Sequence, residues 1–261
     1  MKLQTLQTDT LTLRYLRFGN PEGQALIIIP GVSLGSVMRS AGAIAQQYQS
    51  FAERFDVYLF DRREDAPAGY SIRQMAGDIV RAAEHLNLHP VDLYGVSQGG
   101  MIAQVIAEEH PALVRRIALC STSAYCNETG RAVLTGWRDL ARAGEMDALM
   151  LSFAEKVYSP AFCERFHDAF LDLGRIVTAD DLRLFIIGVE SVLAFDGREA
   201  LGTLRAPLLI LGGGNDQVFG EEVFRELSDR TGGTLHIYPD GNHAICDEEP
   251  DVLTRLLAFL Q

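Results

Sequence analysis

Cysteine is scarce in this sequence of 261 residues, basic residues are outnumbered, and no apolar run is long. The four cysteines, Cys120, Cys126, Cys163 and Cys246, form no C-x-x-C pair and have no metal-ligand spacing. They read as free, partly buried thiols of a reducing compartment, and no metal is expected. Lys and Arg number 23 against 35 Asp and Glu, a net charge of −12. Phosphates would be repelled, so neither nucleic acid nor an anionic membrane surface is expected as a partner. No run approaches the roughly 18 apolar residues that span a bilayer. The start, MKLQTLQTDT, lacks the apolar stretch of a signal peptide. The expected location is therefore the cytoplasm. Internal repeats and low-complexity segments are missing as well.

Apolar residues make up 48% of the chain and charged residues 22%, enough to build a substantial core. Two alternating runs, Lys2–Gln7 and Leu11–Phe18, read as a hairpin joined by Thr8-Asp9-Thr10. Strands are then expected at Ala25–Ile29, Asp56–Phe60, Val91–Val96, Ile117–Ser121, Pro207–Leu211 and Thr234–Tyr238. Leu26-Ile27-Ile28-Ile29 and Leu208-Leu209-Ile210-Leu211 are continuously apolar, as in parallel strands covered on both faces. Helices alternate with these strands. One opens with the capping box Ser71-Ile72-Arg73-Gln74 and presents Ile72, Met75, Ala76, Ile79, Val80, Ala83 and Leu86 on one side. Another runs from Met101 to Glu109. A last one begins at Pro250 and turns Leu253, Leu256, Leu257 and Leu260 inward. The pattern predicts an α/β fold with a mostly parallel sheet of about eight strands and helices on both faces.

From about Asn127 to Ala194 the alternation stops. Helices are expected at Arg131–Ala143, Met146–Tyr158 and Pro160–Leu171, then a fourth capped by Thr178. An all-helical insertion after the sixth strand reads as a lid. The expected organisation is core 1–124, lid 125–195, core 196–261. The lid aromatics Trp137, Phe153, Tyr158, Phe162, Phe166, Phe170 and Phe185 either line an apolar pocket or pack helix on helix. Trp137 and Phe185 are the candidates for substrate contact.

The stretch VDLYGVSQGGMIAQ, Val91 to Gln104, passes from strand through Gly95-x-Ser97-x-Gly99 into helix. Glycines suit a turn where strand and helix backbones nearly touch, and Ser97 would be held in a strained conformation that exposes its hydroxyl. A serine hydroxyl is a weak nucleophile without a base. Of the six histidines, His85, His89 and His110 sit at helix ends, His236 lies within a strand and His167 within the insertion. His243 falls in Asp240-Gly241-Asn242-His243, a loop after the last strand, where sites form in such sheets. The orienting acid should follow another strand end. Asp216, after Gly212-Gly213-Gly214-Asn215, is preferred to Asp196. The glycine run lacks G-x-G-x-x-G, so no dinucleotide is expected.

The order Ser97, Asp216, His243, with the hairpin, the helical insertion and the Gly-Asn-His near the end, resembles the α/β-hydrolase family, lid-bearing serine hydrolases similar to carboxylesterases, enol-lactonases and ring-fission-product hydrolases. The resemblance covers nearly the whole chain. It implies a Ser-His-Asp triad acting by acyl transfer to water, without cofactor, on a small ester or lactone. It also implies an oxyanion hole from the backbone N–H groups of Val32 and Gln98. Pro30 stands where the family usually has histidine, and Ser33 could add a hydroxyl. The family's Asp-x-Arg-Gly-x-Gly is replaced by Asp61-Arg62-Arg63-Glu64-Asp65, which either binds a polar substrate group or forms mutual salt bridges. Similar proteins also cleave carbon–carbon bonds, perform perhydrolysis, act on thioesters or amides, or serve as slow-turnover ligand-binding or signalling proteins. The oligomeric state is open.

Overall fold

A computed structural model describes residues 1–261. The strands are β1 (Lys2–Gln7), β2 (Thr12–Gly19), β3 (Gln24–Ile29), β4 (Phe55–Phe60), β5 (Val91–Val96), β6 (Val114–Cys120), β7 (Leu208–Gly213) and β8 (Thr234–Tyr238). They form one sheet in the order β1-β2-β4-β3-β5-β6-β7-β8. β1 and β2 pair antiparallel, β2 joins β4 antiparallel, and the strands from β4 through β8 run parallel. The sheet is therefore the expected one, with the hairpin at its edge.

Alternate residues of the continuously apolar strands feed two separate cores. Ile27 and Ile29 enter one, Leu26 and Ile28 the other. Each fully buried aliphatic side chain contributes about 1.5–3 kcal/mol, which is why the sheet needs helices on both faces. The first core packs against α2 (Ile72–His85), α3 (Gln98–Glu109) and α8 (Glu221–Thr231); the second packs against α1 (Ala41–Gln47) and α10 (Asp251–Leu260), with the short α9 (Ile245–Glu248) before it. The capping box of α2 is formed: the Ser71 hydroxyl accepts the Gln74 N–H, and the Gln74 side chain accepts the Ser71 N–H. In α10 the buried stripe is Val252, Leu256 and Leu260, while Leu253 and Leu257 are only partly covered. Val252, in the first turn of α10 and ahead of the leucine run, joins the stripe as well.

Between β6 and β7 lie four helices: α4 (Glu128–Ala143), α5 (Met146–Val157), α6 (Pro160–Arg175) and α7 (Ala179–Ala194). Asn127 caps α4 through the Gly130 N–H, three residues earlier than the apolar pattern announces. Thr178 and Asp181 form a capping box on α7. β7 runs on through Gly212 and Gly213, which the sequence assigned to a loop. No helix is long and apolar enough to cross a membrane.

Candidate active site

Ser97 connects β5 to α3 with φ 52° and ψ −119°. A non-glycine residue there stores about 1–3 kcal/mol of strain, so its surroundings must hold it. Three hydrogen bonds do so: its N–H donates to the Cys120 carbonyl at 2.9 Å, and its carbonyl accepts the Gly100 N–H at 2.9 Å and the Thr122 hydroxyl at 2.6 Å. The flanking glycines are required by space. A Cβ on Gly95 would come within 2.5 Å of the Gly99 oxygen, and one on Gly99 within 2.0 Å of the Ile29 oxygen. The second approach brings the loop after β3 onto the turn.

That loop passes over Ser97: a Cβ at Gly31 would lie 3.0 Å from the Ser97 Cβ. Pro30 does not push it away. The N–H of Val32, two residues after Pro30, takes part in no main-chain hydrogen bond within the protein. Gln98 is the first residue of α3, where an N–H has no partner in its own helix and the helix dipole is positive. Val32 lines the cavity at Ser97, and Gln98 lines the cavity next to it.

His243 follows β8 and Asp216 follows β7, so parallel strand ends deliver both to one edge of the sheet. The loops are tied to each other by the Asn215 N–H, which donates to the Gly241 carbonyl at 2.8 Å. His243 Nδ1 lies 2.7 Å from Asp216 Oδ2, and His243 Nε2 lies 3.1 Å from Ser97 Oγ. Asp216 Oδ1 accepts the N–H groups of Val218 at 2.7 Å and Phe219 at 2.9 Å. A buried carboxylate with one oxygen occupied by two N–H donors can turn only the other toward the imidazole. That fixes the tautomer, with Nδ1 protonated and Nε2 free to accept the Ser97 proton. Asp196 lies elsewhere, exposed and paired with Arg198 at 2.5 Å.

Ser97 and His243 line a cavity of about 160 Å³ with Leu134, Trp137, Phe153, Val157, Tyr158 and Phe219. Trp137 and Phe153 pack with ring centroids 4.8 Å apart. Burial first, and Asp247 second, hold the Tyr158 phenol well above its ordinary pKa, so that wall carries no phenolate. The insertion thus supplies half of the apolar lining residues. Phe162, Phe166 and Phe170 do not reach the cavity and instead pack with one another and behind Tyr158. Phe185, contrary to expectation, is fully buried in the core and lines no part of the cavity. On an amphipathic helix its spacing is indistinguishable from that of a pocket residue. Ser33 does not line the Ser97 cavity, and its hydroxyl donates to the Gly35 carbonyl at 2.8 Å. It faces a separate cavity.

The charged loop after β4 is consumed in ion pairs. Arg62 donates to the Ser33 carbonyl at 2.8 Å and to Asp181 at 2.6 Å. Arg63 pairs with Asp65 at 2.6 Å, and Glu64 pairs with Arg14. Burial lowers the pKa of the Arg62 guanidinium, against the opposite pull of Asp181 and Asp61. Three contacts at the site have no clear sequence signal: Thr122 beneath Ser97, Asp181 bonded to the Arg62 that holds the loop after β3, and the Gln98 side chain bonded to α7. Only the small residues Ser121-Thr122-Ser123 after β6 hinted at close packing on the turn.

Residues 26–256 match the model of the alpha/beta hydrolase family. The chain is 24% identical to 3-oxoadipate enol-lactonase 2 of Acinetobacter baylyi across 82% of this chain and 79% of that one. It is 26% identical to the serine hydrolase BPHL of Mus musculus across 95% of this chain and 83% of that one. The crystal structure of the enol-lactonase from Burkholderia xenovorans LB400 superposes with a TM-score of 0.84 at 22% identity, covering 98% of this chain and 99% of that one.

Proposed function

The chain belongs to the alpha/beta hydrolase family, and on that premise we propose that it is a serine hydrolase transferring an acyl group to water from a small ester or lactone. One observation carries the reading: an unbroken relay from Ser97 Oγ through His243 to Asp216, with contacts of 3.1 and 2.7 Å. Ser97 Oγ attacks the substrate carbonyl while His243 Nε2 takes its proton. Asp216 orients the ring and stabilises the imidazolium. The oxyanion is received by the N–H groups of Val32 and Gln98, each such donor being worth on the order of 10²–10³ in rate. His243 then returns the proton to the leaving group, and water attacks the acyl-enzyme by the same route reversed. The apolar walls favour a substrate with an apolar part, and the names of the lactonase relatives agree with a small carbonyl substrate. The insertion, residues 125–195, serves as the lid over the core formed by 1–124 and 196–261.

The test is labelling with a fluorophosphonate probe and peptide mapping, followed by turnover of p-nitrophenyl esters and simple lactones. The expected result is a single adduct on Ser97, with turnover abolished in Ser97→Ala. An adduct elsewhere would refute the assignment. Labelling of Ser97 without turnover of any ester or lactone would favour the slow-turnover binding alternative.

A further inference from the structure

No lysine or arginine lines the cavity that holds Ser97 and His243, and one carboxylate does, that of Asp247. Asp247 lies in α9, four residues after His243. Its carboxylate is held from two sides. The Gln47 amide at the end of α1 donates to Oδ1 at 3.0 Å and to the neighbouring Cys246 carbonyl at 3.1 Å. The Tyr158 hydroxyl, from the insertion, donates to Oδ2 at 3.2 Å. The Cys246 thiol lies 3.6 Å from Oδ1. All these donors are neutral, so the carboxylate has hydrogen bonds but no cationic partner. Asp216, in contrast, is closed off by Val218, Phe219 and His243. The segment around Asp247 is also anchored to the insertion: the Ala244 N–H donates to the Val157 carbonyl at 2.9 Å, and the Ser159 N–H and hydroxyl donate to Glu248 at 3.0 and 2.5 Å.

We propose that Asp247 makes the enzyme selective for esters whose leaving alcohol carries an ammonium group, seated between this carboxylate and the aromatic walls of the cavity. The proposal rests on the serine hydrolase reading above. His243 returns a proton to the leaving oxygen, so the leaving group lies beside His243, in the space that Asp247 also lines. Trp137, Phe153, Tyr158 and Phe219 line the same space, and the negative faces of such rings attract a cation. Walls of low dielectric focus the field of a lone carboxylate, and the net charge of −12 draws cations toward the molecule. A leaving group with a carboxylate or sulfonate would meet repulsion there. The cavity, about 160 Å³, has room for about five water-sized groups, enough for a trimethylammonium head. Because Gln47 and Tyr158 already fix the carboxylate, little further ordering opposes binding.

Butanoate esters of three alcohols similar in size and different in charge test this: 2-(trimethylammonio)ethyl, 3,3-dimethylbutyl and 2-sulfoethyl. In each, Ser97 Oγ forms a bond to the carbonyl carbon, the bond from that carbon to the alcohol oxygen breaks, and the alcohol leaves with the proton from His243. Values of kcat/KM are measured by pH-stat for wild type, Asp247→Asn and Asp247→Lys. Comparing the cationic-to-neutral ratio between proteins cancels the intrinsic reactivities of the esters. The ratio should fall about fivefold in Asp247→Asn, the size of one partly exposed ion pair. In wild type it should fall as salt is raised, because added ions screen the pair. Asp247→Lys should shift the preference toward the sulfoethyl ester. The free alcohols give a second reading that needs no turnover: the cationic one should protect Ser97 from a fluorophosphonate at lower concentration than its neutral isostere in wild type, and not in Asp247→Asn. Equal ratios in all three proteins, or a parallel loss on all three esters, overturn the ammonium site, while labelling of Ser97 leaves the serine reading standing. Absence of both label and turnover overturns both.

Discussion

The side-chain amide of Gln98 donates to the Gly188 carbonyl at 2.8 Å, binding the residue after Ser97 to a helix of the insertion. A second bond, to the Ser191 hydroxyl at 2.9 Å, completes the attachment. Gln98, the proposed oxyanion donor, is thus held from both ends, by α3 along its backbone and by α7 through its side chain. Gln98→Leu keeps the volume and removes both bonds. The expected stability loss is about 1–3 kcal/mol, read as a lower urea midpoint, with kcat down on the order of tenfold. Unchanged kcat with lowered stability would make the contact purely structural.

Asp216 accepts two loop N–H groups with one oxygen and His243 with the other. Asp216→Asn keeps an oxygen for Val218 and Phe219 but presents an N–H to the imidazole, favouring the wrong tautomer. Ester hydrolysis should fall about 10⁴-fold while the melting temperature changes little. Hydrolysis within tenfold of wild type would exclude Asp216 from its proposed role.

Arg62 joins the loop after β3, through the Ser33 carbonyl, to the cap of α7, through Asp181. It is a positioning residue, replacing local stiffness with a tether. Arg62→Met should lower kcat about tenfold with KM less affected, and Arg62→Lys should fail to rescue it, because an ammonium cannot span both acceptors as a planar fork does. Full rescue by lysine would show that charge alone suffices.

Asp181 titrates below its ordinary value of 3.8: burial pushes it up, and the Thr178 backbone N–H, Arg39 and the Thr178 hydroxyl outweigh that and pull it down. With the folded pKa depressed, the unfolded chain takes up the proton first as pH falls. The stabilisation is complete above pH 3.8 and is lost as pH drops through the folded value beneath it. Asp181→Asn should therefore cost about 1.5–3 kcal/mol at pH 7 and flatten the acid limb of the stability curve below pH 3.8. Acid unfolding as steep as in wild type would contradict this assignment.

The sequence by itself determined what depends on near neighbours in the chain. Period-two and continuous apolar runs named the strands, because side-chain burial on a sheet follows backbone alternation. Gly95 and Gly99 announced a turn too tight for side chains. The order Ser97, Asp216, His243 placed three polar groups after the ends of β5, β7 and β8, parallel strands whose ends share one edge of a sheet. Tertiary structure alone decided the rest. Trp137 and Phe185 carry the same helical signature, and only the packing of α4 and α7 sends one to the cavity wall and the other into the core. The charges of Arg62 and Arg63 look like substrate ligands until Asp181, far along the chain, arrives to pair with one of them. Pro30 departs from the family pattern, and only the fold shows its loop lying against the turn, with Gly31 beside Ser97 and Gly99 beside Ile29 and Pro30. Contacts between residues distant in sequence leave no local pattern; they exist only once the chain has folded.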